Sequence, residues 1–180
     1  MLSFRSILAG LGALAVASSP ALAAPGPGCL QPPELSALEL RALQSRLMVG
    51  AVGCRQEEAY NAFVRRFQRE LGSAYHQAEG HFRRVHGSQG RARFNQFDTQ
   101  LALTQEEERI RQGSFFCRDT QVYFREAMAL DAGQLARFGA ERNVLLPYRA
   151  ETCSESETRP SGSRPARAAR TTSAASAQRR

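Results

Sequence analysis

Residues Ala59 to Val85 read AYNAFVRRFQRELGSAYHQAEGHFRRV. Tyr60, Val64, Phe67, Leu71, Ala74, Ala78 and Val85 recur in steps of three, four and seven. On a helix of 3.6 residues per turn these positions form one continuous stripe, so the stretch predicts the middle of a long amphipathic helix. Phe63, Tyr75 and Phe82 flank the stripe and widen it beyond a two-stranded coiled-coil seam. Other helices must cover that face, and the fold class expected is all-α.

Working outward, Pro32-Pro33 opens an earlier helix running to about Val52, with Leu35, Leu38, Ala42, Leu43, Leu47 and Ala51 on its apolar face and Gly53 at its exit. Cys54 then falls in a short turn. Glu57 and Glu58 meet the positive end of the long helix's dipole. Gly72 and Gly80 lie inside that helix, each costing about 1 kcal/mol relative to alanine, and mark a bend or a close neighbour. Gly87-Ser88-Gln89-Gly90 breaks the chain before a third helix, about Arg91 to Gln112. Phe94, Phe97, Leu101 and Ile110 are its expected core residues. Its polar middle, Gln105-Glu106-Glu107-Glu108, can pair with Arg109 and Arg111, for instance Glu107 with Arg111.

Beyond Gly113, Ser114-Phe115-Phe116-Cys117 reads as an apolar link. Asp119 or Thr120 then caps a fourth helix with the face Phe124, Ala127, Met128, Leu135 and Phe138. Val144-Leu145-Leu146-Pro147-Tyr148 is an expected extended arm, packed over the helices and returning Cys153 toward Cys29. The resulting expectation is a mostly antiparallel four-helix bundle over residues 24–157, one domain with a single core.

The ends read differently. Arg5, an apolar run from Ile7 to Ala17, and Ala21-Leu22-Ala23 have the form of an export signal over residues 1–23, cleaved after Ala23. A membrane anchor would need about 20 apolar residues, and Ser18-Ser19-Pro20 interrupts the run. The expected location is therefore periplasmic or secreted, with no membrane span after cleavage. Gly26-Pro27-Gly28-Cys29 lacks the aliphatic residue that lipidation would want. Residues 158–180 carry no bulky apolar side chain, so this tail is expected to be disordered.

The formal charge of +7 is uneven. One of the 24 arginines leaves with the signal and six lie in the tail, so 17 remain in residues 24–157 against 17 acids. A neutral domain disfavours nucleic acid as its partner. Lysine is absent, so the arginine content reflects replacement of Lys rather than phosphate recognition. The tail's Arg159, Arg164, Arg167, Arg170, Arg179 and Arg180 are candidates for salt-sensitive contact with an anionic cell-surface polymer.

Four cysteines, Cys29, Cys54, Cys117 and Cys153, suit two disulfides in an exported chain. No C-x-x-C occurs, so thioredoxin chemistry, zinc ribbons and c-type haem lose their signature. Of the three pairings, Cys54 with Cys117 and Cys29 with Cys153 joins the ends of elements expected to be neighbours. Either bridge closes a long loop, removing about 4 kcal/mol of unfolded-chain freedom in the entropy model.

His76, His81 and His86 are five apart, about 140° around a helix, so they do not share a metal-binding face, and a solvated or capping role is expected. The clustered carboxylates are expected to be solvated. Ser114 has no adjacent histidine or G-x-S-x-G elbow, and neither phosphate-binding glycine motif is present. The sequence therefore carries no catalytic, cofactor or metal site. The function expected is a non-enzymatic binding or structural accessory protein of the cell envelope, with an envelope protein as partner. The alternative is a small-ligand or metal carrier, with the phenylalanines lining a groove, or a hydrolase of unfamiliar geometry.

Leu43-Gln44-Ser45-Arg46-Leu47-Met48-Val49, Cys54, Tyr60-Asn61-Ala62-Phe63, Arg66-Phe67 and Gly113-Ser114-Phe115-Phe116-Cys117 resemble a group of small exported four-cysteine helical proteins of alphaproteobacteria. The resemblance spans about Cys29 to Cys153 and implies an exported helical fold, with no catalytic residue to carry over. Some of the group bear an adenosylhomocysteine hydrolase name, an activity needing a dinucleotide-binding pattern that this chain lacks.

Overall fold

Pro32 and Pro33 have no backbone N–H to lose and start the first helix, α1 (Pro32–Cys54). A computed structural model describes residues 28–153. The expected export signal and the tail arginines lie outside the described residues. After α1 come α2 (Glu57–His86), a single 3-10 turn (Gly87–Gln89), α3 (Gly90–Gln112), α4 (Ser114–Ala127) and α5 (Leu135–Glu141). The described chain is all-α, and its one β-bridge, Leu30 with Thr152, belongs to no sheet.

The hub of the fold is α1. It packs against α2, α3, α4 and α5, and its buried residues include Ala37, Leu38, Leu40, Leu43, Arg46, Leu47 and Gly50. Burial at so many phases places a helix inside rather than on the surface. Reading a single stripe for α1 understates this. Gly50 is the point of closest approach: a side chain there would meet Thr120 of α4. Gly139 brings α5 onto Leu43 and Glu39 of α1 in the same way. By contrast, nothing approaches Gly72 or Gly80, and the kink of α2 is at Phe67 (φ −106°, ψ 18°).

The predicted fourth helix is two helices. Ser114-Phe115-Phe116-Cys117 is the first turn of α4 rather than a link, with Phe116 buried and Phe115 exposed. Thr120 does not cap it; its hydroxyl donates to the Phe116 carbonyl at 2.8 Å from a fully buried position. The helix stops near Met128, and Gly133, at φ 88°, turns the chain into α5 in a conformation that side chains resist.

In α3, phase overrides polarity. Phe94, Phe97, Leu101, Gln105 and Glu108 face inward, while Ile110, an expected core residue, is 69% exposed. A residue two positions from Glu108 sits about 200° around the helix and cannot share its face. The ion pairs accordingly join Glu108 to Arg111 and Glu106 to Arg109, not Glu107 to Arg111.

The arm is extended, as the sequence reading expects. Val144, Leu146, Tyr148 and Ala150 pack against the core while Leu145, Arg149 and Glu151 are exposed, the period of two of an extended chain. Gln105 donates to the Leu145 carbonyl at 2.8 Å. At the far end Leu30 N–H donates to Glu151 O at 2.7 Å and Cys153 N–H to Leu30 O at 2.8 Å. Disulfides join Cys29 to Cys153 and Cys54 to Cys117, so one closes the arm and the other ties the end of α1 to α4.

Candidate functional site

His81 is fully buried, which corrects the solvated role expected of it; His76 and His86 are exposed. It lies three residues beyond Ala78 and seven beyond Ala74, hence on the α2 stripe itself. Its Nδ1 is 3.0 Å from Glu34 Oε2 in the first turn of α1, and its Nε2 is 2.7 Å from the Tyr148 hydroxyl on the arm. Three distant segments therefore meet on one imidazole.

Glu34 is the anchor. Arg84 donates to both of its carboxylate oxygens, from Nε at 3.0 Å and from Nη2 at 2.5 Å, and the backbone N–H of Gln31 adds a bond of 2.9 Å. Arg84 Nη2 also donates to the Cys29 carbonyl at 2.8 Å, carrying the network to the Cys29–Cys153 bridge. Burial pushes the Glu34 carboxyl up, but the bonds from Arg84, Gln31 and His81 outweigh it and leave it below its ordinary value. For His81, burial dominates and pushes the imidazole down, against the pull of Glu34. Burial, with the Glu34 charge, pushes the Tyr148 phenol up.

The carboxylate of Glu34, 3.0 Å from Nδ1, favours the neutral tautomer that donates from Nδ1–H and accepts the Tyr148 O–H at Nε2, over the one in which Nδ1 accepts from Arg84 Nη2 at 3.2 Å. The phenol holds its proton more tightly than usual and the imidazole takes one up less readily. Transfer between them is therefore unfavourable, and the three side chains clamp α1, α2 and the arm together.

What the clamp holds is an aromatic wall. The rings of Phe82, Phe97 and Tyr148 lie 5.1–5.8 Å apart, and His86 stacks over Phe82 at 6.1 Å. With Pro147 they line a cleft of about 280 Å³, whose polar rim is Arg93, Gln96 and Gln100.

The other sequence candidates do not gather here. Glu57 and Glu58 are exposed at the start of α2, Ser114 is exposed at the start of α4, and Glu106 and Glu108 are held by arginines. Glu108 is buried, contrary to the expectation that these carboxylates are solvated. Among the described residues no three His, Cys, Asp or Glu side chains are placed to hold a metal ion. Sequence reasoning missed Glu34, His81 and Tyr148 because they are 47 and 67 residues apart. The available signal was the place of His81 on the apolar stripe. No family model matches the chain, and neither curated proteins nor solved structures offer a match.

Proposed function

We propose that the protein is a non-enzymatic binding protein of the cell envelope, periplasmic or secreted after cleavage at Ala23, that receives an apolar side chain of a partner protein in the aromatic cleft. The clamped aromatic wall is the observation that carries this reading. The cleft's floor is the packed rings of Phe82 and Phe97, both buried, and its wall is the half-buried Tyr148 ring, already fixed by its bond to His81, so little freedom is lost when an apolar side chain enters. A cleft of about 280 Å³ suits one bulky side chain and lies at the lower edge of small-molecule sites, which span about 300–1,000 Å³. Arg93 on its rim favours an acidic neighbour in the partner.

Two disulfides fit an oxidising compartment, and no described helix is long and apolar enough to cross a membrane. The scaffold is a helical bundle in which α2, α3, α4 and α5 each pack on α1. The tail arginines, Arg159 to Arg180, add a salt-sensitive contact to an anionic surface polymer.

A photo-crosslinking residue at Gln100, on the cleft rim, tests the reading in intact cells, with Arg69, exposed on α2, as control. A discrete adduct from position 100, absent from position 69 and weakened by Arg93→Glu, is expected. Identical adducts from both positions, or none from position 100, overturn the proposal. Repeating the measurement without residues 158–180 separates the tail: a fully retained envelope association at low salt overturns the tail's part.

A further inference from the structure

The central helix α1 turns a polar stripe toward two of its neighbours. Arg41, Gln44, Ser45 and Met48 stand at positions i, i+3, i+4 and i+7, hence on one face. With Tyr60 of α2 and Asp98 and Leu101 of α3 they line a cavity of about 210 Å³. It shares no lining residue with the aromatic cleft. A hub helix would ordinarily fill such a wedge with apolar side chains.

The polar groups there are incompletely used. Arg41 donates from Nη2 to Asp98 Oδ1 at 2.8 Å and from Nη1 to Gln44 Oε1 at 2.6 Å, which fixes the guanidinium, yet its buried Nε–H has no partner among the described residues. Ser45 is only 8% exposed, and its buried hydroxyl likewise has none. Gln44 donates to the Tyr60 oxygen at 3.5 Å, so the phenol's own proton is left to give. Buried polar groups in folded proteins are ordinarily satisfied, and unmet ones call for an explanation.

We propose that this cavity binds a small zwitterion of the α-amino acid class. Three donors, Arg41 Nε–H, Ser45 O–H and Tyr60 O–H, suit a carboxylate. Asp98 gives Arg41 only one of its two oxygens and keeps the other for an ammonium. Arg41 and Asp98 cancel in charge, so a ligand carrying both signs keeps the site neutral, whereas one carrying a single sign leaves a charge uncompensated in a partly desolvated wedge. Met48 and Leu101 offer an apolar wall to the ligand's side chain. This site stands independently of the cleft and its partner.

The test is titration of the purified, disulfide-bonded protein with L-leucine, followed by calorimetry and by backbone amide shifts. Two probes, 4-methylpentanoate and 3-methylbutylamine, each carry one of its charges. Saturable L-leucine binding with shifts centred on Ser45 and Asp98 is expected, with each single-charge probe weaker by about tenfold or more. Ser45→Ala should weaken L-leucine by about tenfold while leaving the circular dichroism spectrum unchanged. Asp98→Asn should narrow the gap between L-leucine and 4-methylpentanoate. Absence of saturable shifts at about 10 mM L-leucine, equal binding of the single-charge probes, or unchanged affinity in a folded Ser45→Ala protein overturns the proposal.

Discussion

A histidine with no exposed surface, bonded on both nitrogens, makes the fold sensitive to acid. The ordinary imidazole value is 6.5, and burial lowers that of His81 in the folded chain. As pH falls below about 6.5 the unfolded chain takes up the proton first, so stability decreases until the folded imidazole also titrates. Glu34 acts in the same direction at lower pH: its value is lowered from 4.5, so its stabilising bonds are lost as pH falls through its folded value. Glu39 opposes both, since burial raises it from 4.5 and its contribution is lost as pH rises. The decline between about pH 6.5 and 5 thus belongs to His81. Urea midpoints should fall across that window in the wild-type protein and change much less in His81→Gln. At pH 7.5, His81→Ala should cost about 2–4 kcal/mol, since it opens a cavity and leaves Tyr148 and Glu34 short of partners. An unchanged urea midpoint would exclude the clamp.

At the scale of elements, α2 was legible because Phe67, Leu71, Ala74 and Ala78 repeat without interruption, and the extended arm because Pro147 and its apolar neighbours cannot continue a helix. The central position of α1 was not. Ser45, Arg46 and Gly50 break its apolar pattern, yet all three are buried, Arg46 with its guanidinium 4.1 Å from the centre of the Phe116 ring. A sequence does not announce which polar residue will find an aromatic face on another helix. The α4–α5 break was hidden for a related reason: Phe124 to Phe138 keeps helical phase across the non-helical residues 128–134, in which Gly133 takes a left-handed φ. Of the candidate site, the cysteines and the course of the arm could be read. Glu34 could not, because its role depends on Arg84, 50 residues away.

Glycines show how packing reverses local preference. Gly80→Ala meets open space in an exposed helical position and should stabilise the protein by about 0.5–1 kcal/mol. The same change at Gly50 meets Thr120 and should instead destabilise it by about 1–3 kcal/mol. Thermal melts of both variants check the contrast. Thr120→Ser, which removes the nearest methyl, should recover part of the Gly50→Ala loss, and strict additivity in that double variant would mean that α1 and α4 do not meet there.

For the whole molecule, the two bridges hold different parts of the fold. Cys54–Cys117 joins helices already packed through Gly50 and Thr120, so its removal leaves that interface with its own contacts. Cys29–Cys153 secures an arm held otherwise by a short bridge at Leu30, the Gln105 bond and the Tyr148–His81 bond. Replacing either pair by serine should cost about 2–5 kcal/mol, but the losses should be distributed differently. Without Cys29–Cys153, the arm has the fewest independent anchors and should open below the global unfolding free energy. Hydrogen exchange should then lose protection first at Leu30 and Cys153, whose N–H groups bond across the arm, while the middle of α1 keeps it. Loss of the Cys54–Cys117 pair should leave those amides protected and loosen the start of α4. If the Cys29→Ser/Cys153→Ser protein exchanges uniformly, the arm is no separate unit, and the aromatic wall owes its rigidity to the helices alone.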